Sequence, residues 1–113
     1  MAKVLQLPNL APAQLRGMNR TEAAYAEQLE ADRLAGIVAS WRYEAIKLRL
    51  ADKTWYTPDF FVITTAGGID MVEVKGWWRD DARVKIKVAA EMYPEFRFRA
   101  VSRTGGGWKM EAF

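Results

Sequence analysis

The stretch from Trp55 to Trp78, WYTPDFFVITTAGGIDMVEVKGWW, constrains the fold more strongly than any other part of the chain. It holds two apolar runs, Phe60–Ile63 and Ile69–Val74, which are separated by Ala66-Gly67-Gly68. Aromatic and β-branched runs that are split by a pair of glycines predict a β-hairpin. The rest of the chain is therefore interpreted around two adjacent, antiparallel strands.

Three of the charged residues in this apolar hairpin bear on its function. Asp59 stands where the first strand starts, and Glu73 and Lys75 are two residues apart in the second, so they point to the same face of that strand. A strand as apolar as this one is expected to be buried on both faces, where an unpaired charge is costly. The charges therefore indicate a functional site, although an ordinary ion pair across the hairpin is the simpler alternative.

The hairpin register decides whether the carboxylates can meet. Asp59 and Glu73 share a face only if the residue numbers of opposed partners add up to an even value. A two-residue loop at Gly67-Gly68 gives an odd value. We therefore predict a three-residue loop, Ala66-Gly67-Gly68, or a bulge, which places Asp59 opposite Lys75 and diagonal to Glu73.

Composition narrows the chemistry. The 113 residues, half of them hydrophobic, predict one globular domain. No apolar run reaches the roughly 20 residues of a membrane span. The chain has no Cys, which fits a cytoplasmic location, and no His, which removes the commonest general base and transition-metal ligand. What remains for catalysis is carboxylates, lysine and a hard cation such as Mg²⁺ or Mn²⁺. The net charge of +3 permits an anionic partner.

Residues 1–18 are interpreted as an N-terminal arm, and residues 19–113 as the folded domain. From Asn19 to Ala35 the pattern is helical, with Gly36 placed to end the helix. Glu22 completes a capping box with Asn19. It also precedes the expected core stripe of Tyr25, Ala26 and Leu29, so it points inward, and a role in the site is the second interpretation.

Four further segments complete the predicted element order. Residues 37–50 are interpreted as one strand with Glu44 on its aliphatic face, either at the site or in an edge salt bridge. A helix over residues 81–93 has Val84, Val88 and Met92 as its expected core stripe. Strands at Phe96–Val101 and Trp108–Phe113 follow, joined through a glycine turn.

Basic side chains accompany the later elements. Arg83, Lys85 and Lys87 lie on the second helix, directly after the strand that carries Glu73 and Lys75, where a nucleic-acid backbone is expected to pass. Arg97 lies on the following strand. We predict phosphate contacts from these four residues, although a basic helix face is often only a solvated surface.

The order helix, strand, hairpin, helix, strand is that of the αβββαβ core of the PD-(D/E)XK nuclease superfamily. Pro58-Asp59 and Glu73-Val74-Lys75 match its signature, with thirteen residues between Asp59 and Glu73. The chain also resembles small phage proteins similar to endonuclease I and Holliday-junction resolvases. The blocks that carry this resemblance are NRTEAxYAxxL, WRYE, YTPDF, VEVKGWW, DDARVKxK and YPEFRF.

The resemblance implies an α/β, restriction-endonuclease-like fold with a central mixed sheet, and metal-dependent cleavage of phosphodiester bonds. It implies that Glu22, Asp59 and Glu73 hold Mg²⁺ or Mn²⁺ and that Lys75 is the catalytic lysine. A lysine there can orient the attacking water, stabilise negative charge or transfer a proton, and the sequence leaves these roles open. The expected substrate is branched DNA, which a homodimer would straddle. The expected location is the cytoplasm, which is that of the host cell if a phage encodes the protein.

Two other classes of function remain open. One is a module on the same fold that binds nucleic acid without cutting it, although all four site positions are filled. The other is a protein-interaction adaptor that uses Trp55, Trp77 and Trp78, since aromatic side chains stack on bases as readily as they fill protein interfaces.

Overall fold

The computed structural model of the chain describes residues 10, 12–76 and 80–113. Within these ranges lie the helices α1 (Arg20–Leu34) and α2 (Asp80–Met92), and a single 3-10 turn at Pro12–Leu15. The strands in the same ranges are β1 (Val38–Tyr43), β2 (Leu48–Ala51), β3 (Thr54–Tyr56), β4 (Phe60–Thr64), β5 (Ile69–Lys75), β6 (Arg97–Thr104) and β7 (Gly107–Ala112).

Five strands form one mixed sheet in the order β1-β4-β5-β6-β7. Only the β5–β6 pair is parallel among the strand pairs described, and helix α2 makes the crossover between them. Strands β2 and β3 form a separate two-stranded sheet. The predicted α/β class with a mixed sheet flanked by helices is thus confirmed. The small β2–β3 sheet is an addition to the predicted order.

The sheet has an apolar core on each face. On one face, Ala26 and Leu29 of α1 pack against the inward side chains of β4 and β5, among them Phe60 and Val72. On the other face, Ile86 and Ala89 of α2 pack with Met71, Phe98 and the small β2–β3 sheet. Alternate residues of β5 therefore enter different cores, which explains why its sequence is apolar along its length.

Helix α1 begins and ends as its sequence predicts. The Asn19 side chain accepts a hydrogen bond from the Glu22 amide, and the Glu22 carboxylate accepts one from the Asn19 amide, which completes the capping box. At the other end Gly36 takes a φ of +81°, a left-handed conformation that costs glycine little. Ala26, Leu29 and Glu22 are buried on the expected face.

The prediction of one strand over residues 37–50 is wrong. Strand β1 ends at Tyr43, and Glu44 has a φ of +47°, which breaks the extended backbone before β2 begins. The aliphatic face predicted for this segment exists, because Leu48 is buried with Ile46 and Leu50 packed around it. It belongs to the second sheet, however, and Glu44 is not part of it.

The hairpin register is even, as predicted, but its loop lies one residue earlier. Phe60 is opposite Val72 and Ile63 is opposite Ile69, so every opposed pair of β4 and β5 adds up to 132. The loop residues are 65–67, closed by a hydrogen bond from the Thr64 amide to the Gly68 carbonyl (2.9 Å). The predicted loop at 66–68 is therefore wrong. Continued by one residue, the observed register sets Asp59 opposite Glu73 and not opposite Lys75.

Helix α2 uses a different face from the one predicted. Val84, Val88 and Met92 are 56%, 37% and 48% exposed, whereas Ile86 and Ala89 are buried. This helix has apolar residues on two faces, and the prediction chose the face of Val84, Val88 and Met92. That choice is wrong, because the face of Ile86 and Ala89 is the buried one.

Part of the predicted arm lies within the described residues. Leu10, Leu15 and Met18 pack against the core on the α1 face of the sheet. Residues 1–9 and 11, with most of the arm's remaining apolar side chains, lie outside the described residues. Neither helix among the residues described has the length and hydropathy needed to cross a membrane.

Candidate active site

The hairpin and the start of α1 bring the predicted acidic residues to one end of the sheet. Asp59 immediately precedes β4, and its carboxylate accepts a hydrogen bond from the Val74 amide of the adjacent strand (2.8 Å). This bond anchors Asp59 beside Glu73, the residue on the preceding position of β5. Glu22 approaches from the first turn of α1, and one of its carboxylate oxygens lies within 4.8 Å of one from Asp59.

Glu73 and Lys75 form an ion pair on the face of β5 that looks toward α2. Lys75 Nζ lies 3.1 Å from Glu73 Oε2, and the hydroxyl of Tyr56 donates to Glu73 Oε1 at 3.0 Å. Both carboxylate oxygens of this buried residue are therefore held in place. Burial, followed by the charge of Glu73, raises the pKa of Tyr56 well above its ordinary value, so its hydroxyl stays protonated and remains a donor.

Glu22 has a structural contact and a site contact at once. Its Oε1 atom caps α1 through the Asn19 amide (2.9 Å) and accepts from the hydroxyl of Tyr43 (3.2 Å). Burial raises the pKa of Tyr43 above its ordinary value, as do the carboxylates of Glu44 and Glu22, so this hydroxyl is also a fixed donor. The capping and the site interpretations of Glu22 are thus compatible.

Glu44 joins the site from the end of β1. Its amide donates to the Asp59 carbonyl (2.8 Å), and its left-handed backbone ends the strand there. One carboxylate oxygen from each of Glu22, Glu44 and Asp59 lies within 4.8 Å of the others. The sequence left two interpretations of Glu44, a place at the site and an edge salt bridge; in the structure its carboxylate lies with those of Glu22 and Asp59.

The four predicted site residues and Glu44 thus form two adjacent groups around Asp59. One group is the three carboxylates of Glu22, Glu44 and Asp59, and the other is the Glu73–Lys75 ion pair. Burial raises the pKa of Asp59 to about 8, helped by the neighbouring charge of Glu73 and by Glu22. Burial and the neighbouring carboxylates thus both disfavour the charged form of Asp59, and a cation held by these oxygens would favour it; oxygen donors of this type suit Mg²⁺ and Mn²⁺.

The raised pKa of Asp59 predicts a pH dependence of stability in the presence of a chelator. Because the folded protein binds the Asp59 proton more tightly than the unfolded chain does, this stabilisation is complete below the ordinary pKa of 3.8 and is lost as the pH rises through about 8. We expect the free energy of unfolding to fall by roughly 4 kcal/mol between pH 5 and pH 8. Urea unfolding at pH 5 and pH 8 measures it. Asp59→Asn should lack this component, and equal pH dependence in both proteins would contradict the prediction.

The predicted nucleic-acid contacts are placed unevenly. Arg83 donates to the Glu111 carboxylate of β7 and packs over the Phe113 ring. The pKa of the Glu111 carboxyl is lowered by Arg83, then by Lys109, and then by Lys87, which lies near the same carboxylate. Lys85 donates to the carbonyl of Trp55 (3.3 Å). All three lie on α2, which packs on the sheet face of Glu73 and Lys75.

Arg97 lies far from this group. It is opposite Asp70 in the β5–β6 pair and is bound to that carboxylate at 2.6 Å, whereas Lys75 is opposite Ser102. Five residues of strand separate the two positions, roughly 16 Å. The structure therefore does not bring Arg97 to the carboxylates of Glu22, Asp59 and Glu73.

Two tyrosines of the site were missed by sequence analysis. Tyr56 and Glu73 are 17 residues apart and belong to different sheets, so no local pattern links them. Tyr43 stands next to Glu44 in the WRYE block, and that block is the sequence signal that could have identified it as a site residue. Of the three tryptophans considered for an adaptor, Trp55 is 46% exposed, and Trp77 and Trp78 lie outside the described residues.

Comparison of the chain with protein-family models, with curated proteins and with solved structures finds no match.

Proposed function

We propose that the protein is a divalent-metal-dependent endodeoxyribonuclease of the PD-(D/E)XK type. The observation that carries this proposal is the convergence of Glu22, Glu44 and Asp59 within 4.8 Å, next to the Glu73–Lys75 ion pair. Carboxylates that hold a hard cation beside a positioned lysine are the groups that phosphodiester hydrolysis requires.

Each residue has a role that follows from its contacts. Glu22, Glu44 and Asp59 would hold Mg²⁺ or Mn²⁺, and Glu73 would join them from the other side of Asp59. When bound, the metal supplies Lewis-acid activation of the phosphate and lowers the pKa of a bound water. Lys75 brings a positive charge beside this cluster, where negative charge develops on the phosphate oxygens. Tyr56 holds the Glu73 carboxylate, and the capping box fixes Glu22.

Nicking of supercoiled plasmid DNA tests the activity. We expect conversion to open circles with Mg²⁺ or Mn²⁺ and none with chelator. RNA of equal length serves as the second substrate. A protein that leaves DNA intact under all metal conditions would refute the nuclease proposal.

Binding without cleavage is the second candidate, and one observation favours it. Both oxygens of Glu73 are already engaged, one by Tyr56 and the other by Lys75. If Lys75 keeps its position when a cation is added, Glu73 is a poor ligand and the site binds phosphate without activating it. DNA that is bound equally with and without Mg²⁺, and never nicked, would support this candidate.

For the substrate, we propose branched DNA cleaved by a homodimer. One copy has one candidate site, and a single cluster of this type cuts one strand. No base-reading helix-turn-helix or zinc finger occurs among the described elements, so specificity is expected to come from DNA shape. A two-fold pair of subunits is suited to a four-way junction.

Competition between a labelled four-way junction and a duplex of equal length tests this selectivity. We expect the junction to be cut at least about tenfold faster in Mg²⁺, which corresponds to a difference of about 1.4 kcal/mol in activation free energy. Light scattering of the same sample gives the mass. Equal cleavage of both substrates by a monomer would leave a general nuclease.

A further inference from the structure

Three side chains form a row across the sheet beside the candidate active site. Lys75 of β5 is directly opposite Ser102 of β6, and Ser102 is directly opposite Lys109 of β7. Directly opposed residues point to the same face of a sheet. That face is the one on which Phe98 packs with α2, because Ser102 is four residues after Phe98 on the same strand.

A cavity of about 150 Å³ lies along this row. It is lined by Lys75, Ser102, Lys109, Glu111 and the buried residues Ala100 and Val101. The small side chains of Ala100 and Ser102 leave its floor open, since a larger residue at either position would fill it. Because a water molecule takes about 30 Å³ in the liquid, the space is large enough for the four oxygens of a phosphate group.

The charges around the cavity suit a single phosphodiester. Arg83 donates to the Glu111 carboxylate at 3.0 Å and, followed by the nearby Lys109, keeps the pKa of that group below its ordinary value. Glu111 is therefore an anion paired with Arg83, and the pairing offsets its repulsion of a phosphate. Counting Lys75, Arg83 and Lys109 against Glu73 and Glu111 leaves one net positive charge, equal and opposite to one phosphodiester.

We propose that Lys75, Ser102 and Lys109, here called the phosphate row, follow the DNA backbone: Lys75 lies at the phosphate that is cut, and Ser102 and Lys109 bind the phosphate next to it. This inference rests on the proposed nuclease function, and it gives the nucleic acid a direction across β5, β6 and β7. The row spans roughly 10 Å, because neighbouring strands are about 4.8 Å apart. A DNA strand carries a phosphate for about every 3.4 Å of helix axis, so the phosphate that is cut and one or two successive neighbours fit along it.

The salt dependence of DNA binding tests the phosphate row without cleavage. Binding of a labelled duplex is measured in chelator over a range of NaCl concentrations for the wild-type protein, Lys109→Gln and Ser102→Ala. We expect Lys109→Gln to reduce the slope of log K against log salt by about 0.9, the value for one lost phosphate contact. Ser102→Ala should weaken binding severalfold with an unchanged slope, because a neutral donor releases no counterion.

Lys53→Gln is the matched control, since Lys53 is an exposed lysine in the turn of the separate β2–β3 sheet. Its slope should equal that of the wild-type protein. A wild-type slope in Lys109→Gln, or no binding by the wild-type protein, would overturn the phosphate row. The assay separates the two proposals: normal row-dependent binding with no nicking in Mg²⁺ refutes only the nuclease, whereas normal nicking with an unchanged Lys109→Gln slope refutes only the row.

Discussion

Asp59→Asn is expected to lower Mg²⁺-dependent DNA cleavage by roughly 1,000-fold, a loss of about 4 kcal/mol of transition-state stabilisation. Asp59 connects the two groups of the site. One of its carboxylate oxygens lies within 4.8 Å of an oxygen of Glu22 and of Glu44, and the charge of Glu73 helps to raise its pKa. Asparagine has nearly the same shape and keeps an oxygen for the Val74 amide. The change therefore removes charge while preserving the local hydrogen bond.

The same variant should bind Mn²⁺ far more weakly while the fold becomes no less stable. Calorimetric titration with Mn²⁺ measures the first effect and thermal unfolding in chelator the second. Asp52→Asn is the control, because Asp52 is exposed in the turn between β2 and β3. Manganese affinity that is equal in Asp59→Asn and wild type would remove the metal site from the proposal, even if cleavage were lost.

The residue types and spacing of the hairpin predicted much of the site. The spacing of Glu73 and Lys75 in an apolar strand predicted that the two side chains share a face, and the structure shows them paired there at 3.1 Å. The even register was predicted correctly because it follows from one condition, that Asp59 and Glu73 lie on the same face of the hairpin. The same prediction placed the loop one residue late, since Thr65-Ala66-Gly67 and Ala66-Gly67-Gly68 are both acceptable turn sequences.

The position of Glu44 could not be predicted from the sequence, because it depends on a break in the strand at Glu44. A periodicity argument continues a strand as long as the pattern holds, and the alternation through Ile46, Leu48 and Leu50 does hold. What ends β1 is the left-handed conformation of Glu44 itself, which its residue type does not favour. The segment after it changes sheets, so the same apolar face packs on α2 and leaves Glu44 beside Asp59.

Lys75→Met distinguishes the lysine from the carboxylates more sharply than any other change to the site. We expect cleavage to fall by roughly 100- to 1,000-fold, because a fixed positive charge is removed from the place where the phosphate gains negative charge. Methionine replaces much of the aliphatic part of the side chain, which is 22% exposed, so packing changes little. Glu73 loses its ion-pair partner but keeps the hydrogen bond from Tyr56.

Removing a cation from beside an acidic cluster should also strengthen the binding of a divalent cation there, or at least leave it unchanged. Lys75→Met is thus expected to lose cleavage while keeping Mn²⁺ affinity, whereas Asp59→Asn loses both. Lys53→Met, on an exposed turn, controls for the loss of a lysine. A parallel loss of Mn²⁺ binding and cleavage in Lys75→Met would contradict this prediction. It would mean that Lys75 holds the carboxylates in place through Glu73 and does not itself stabilise charge on the phosphate.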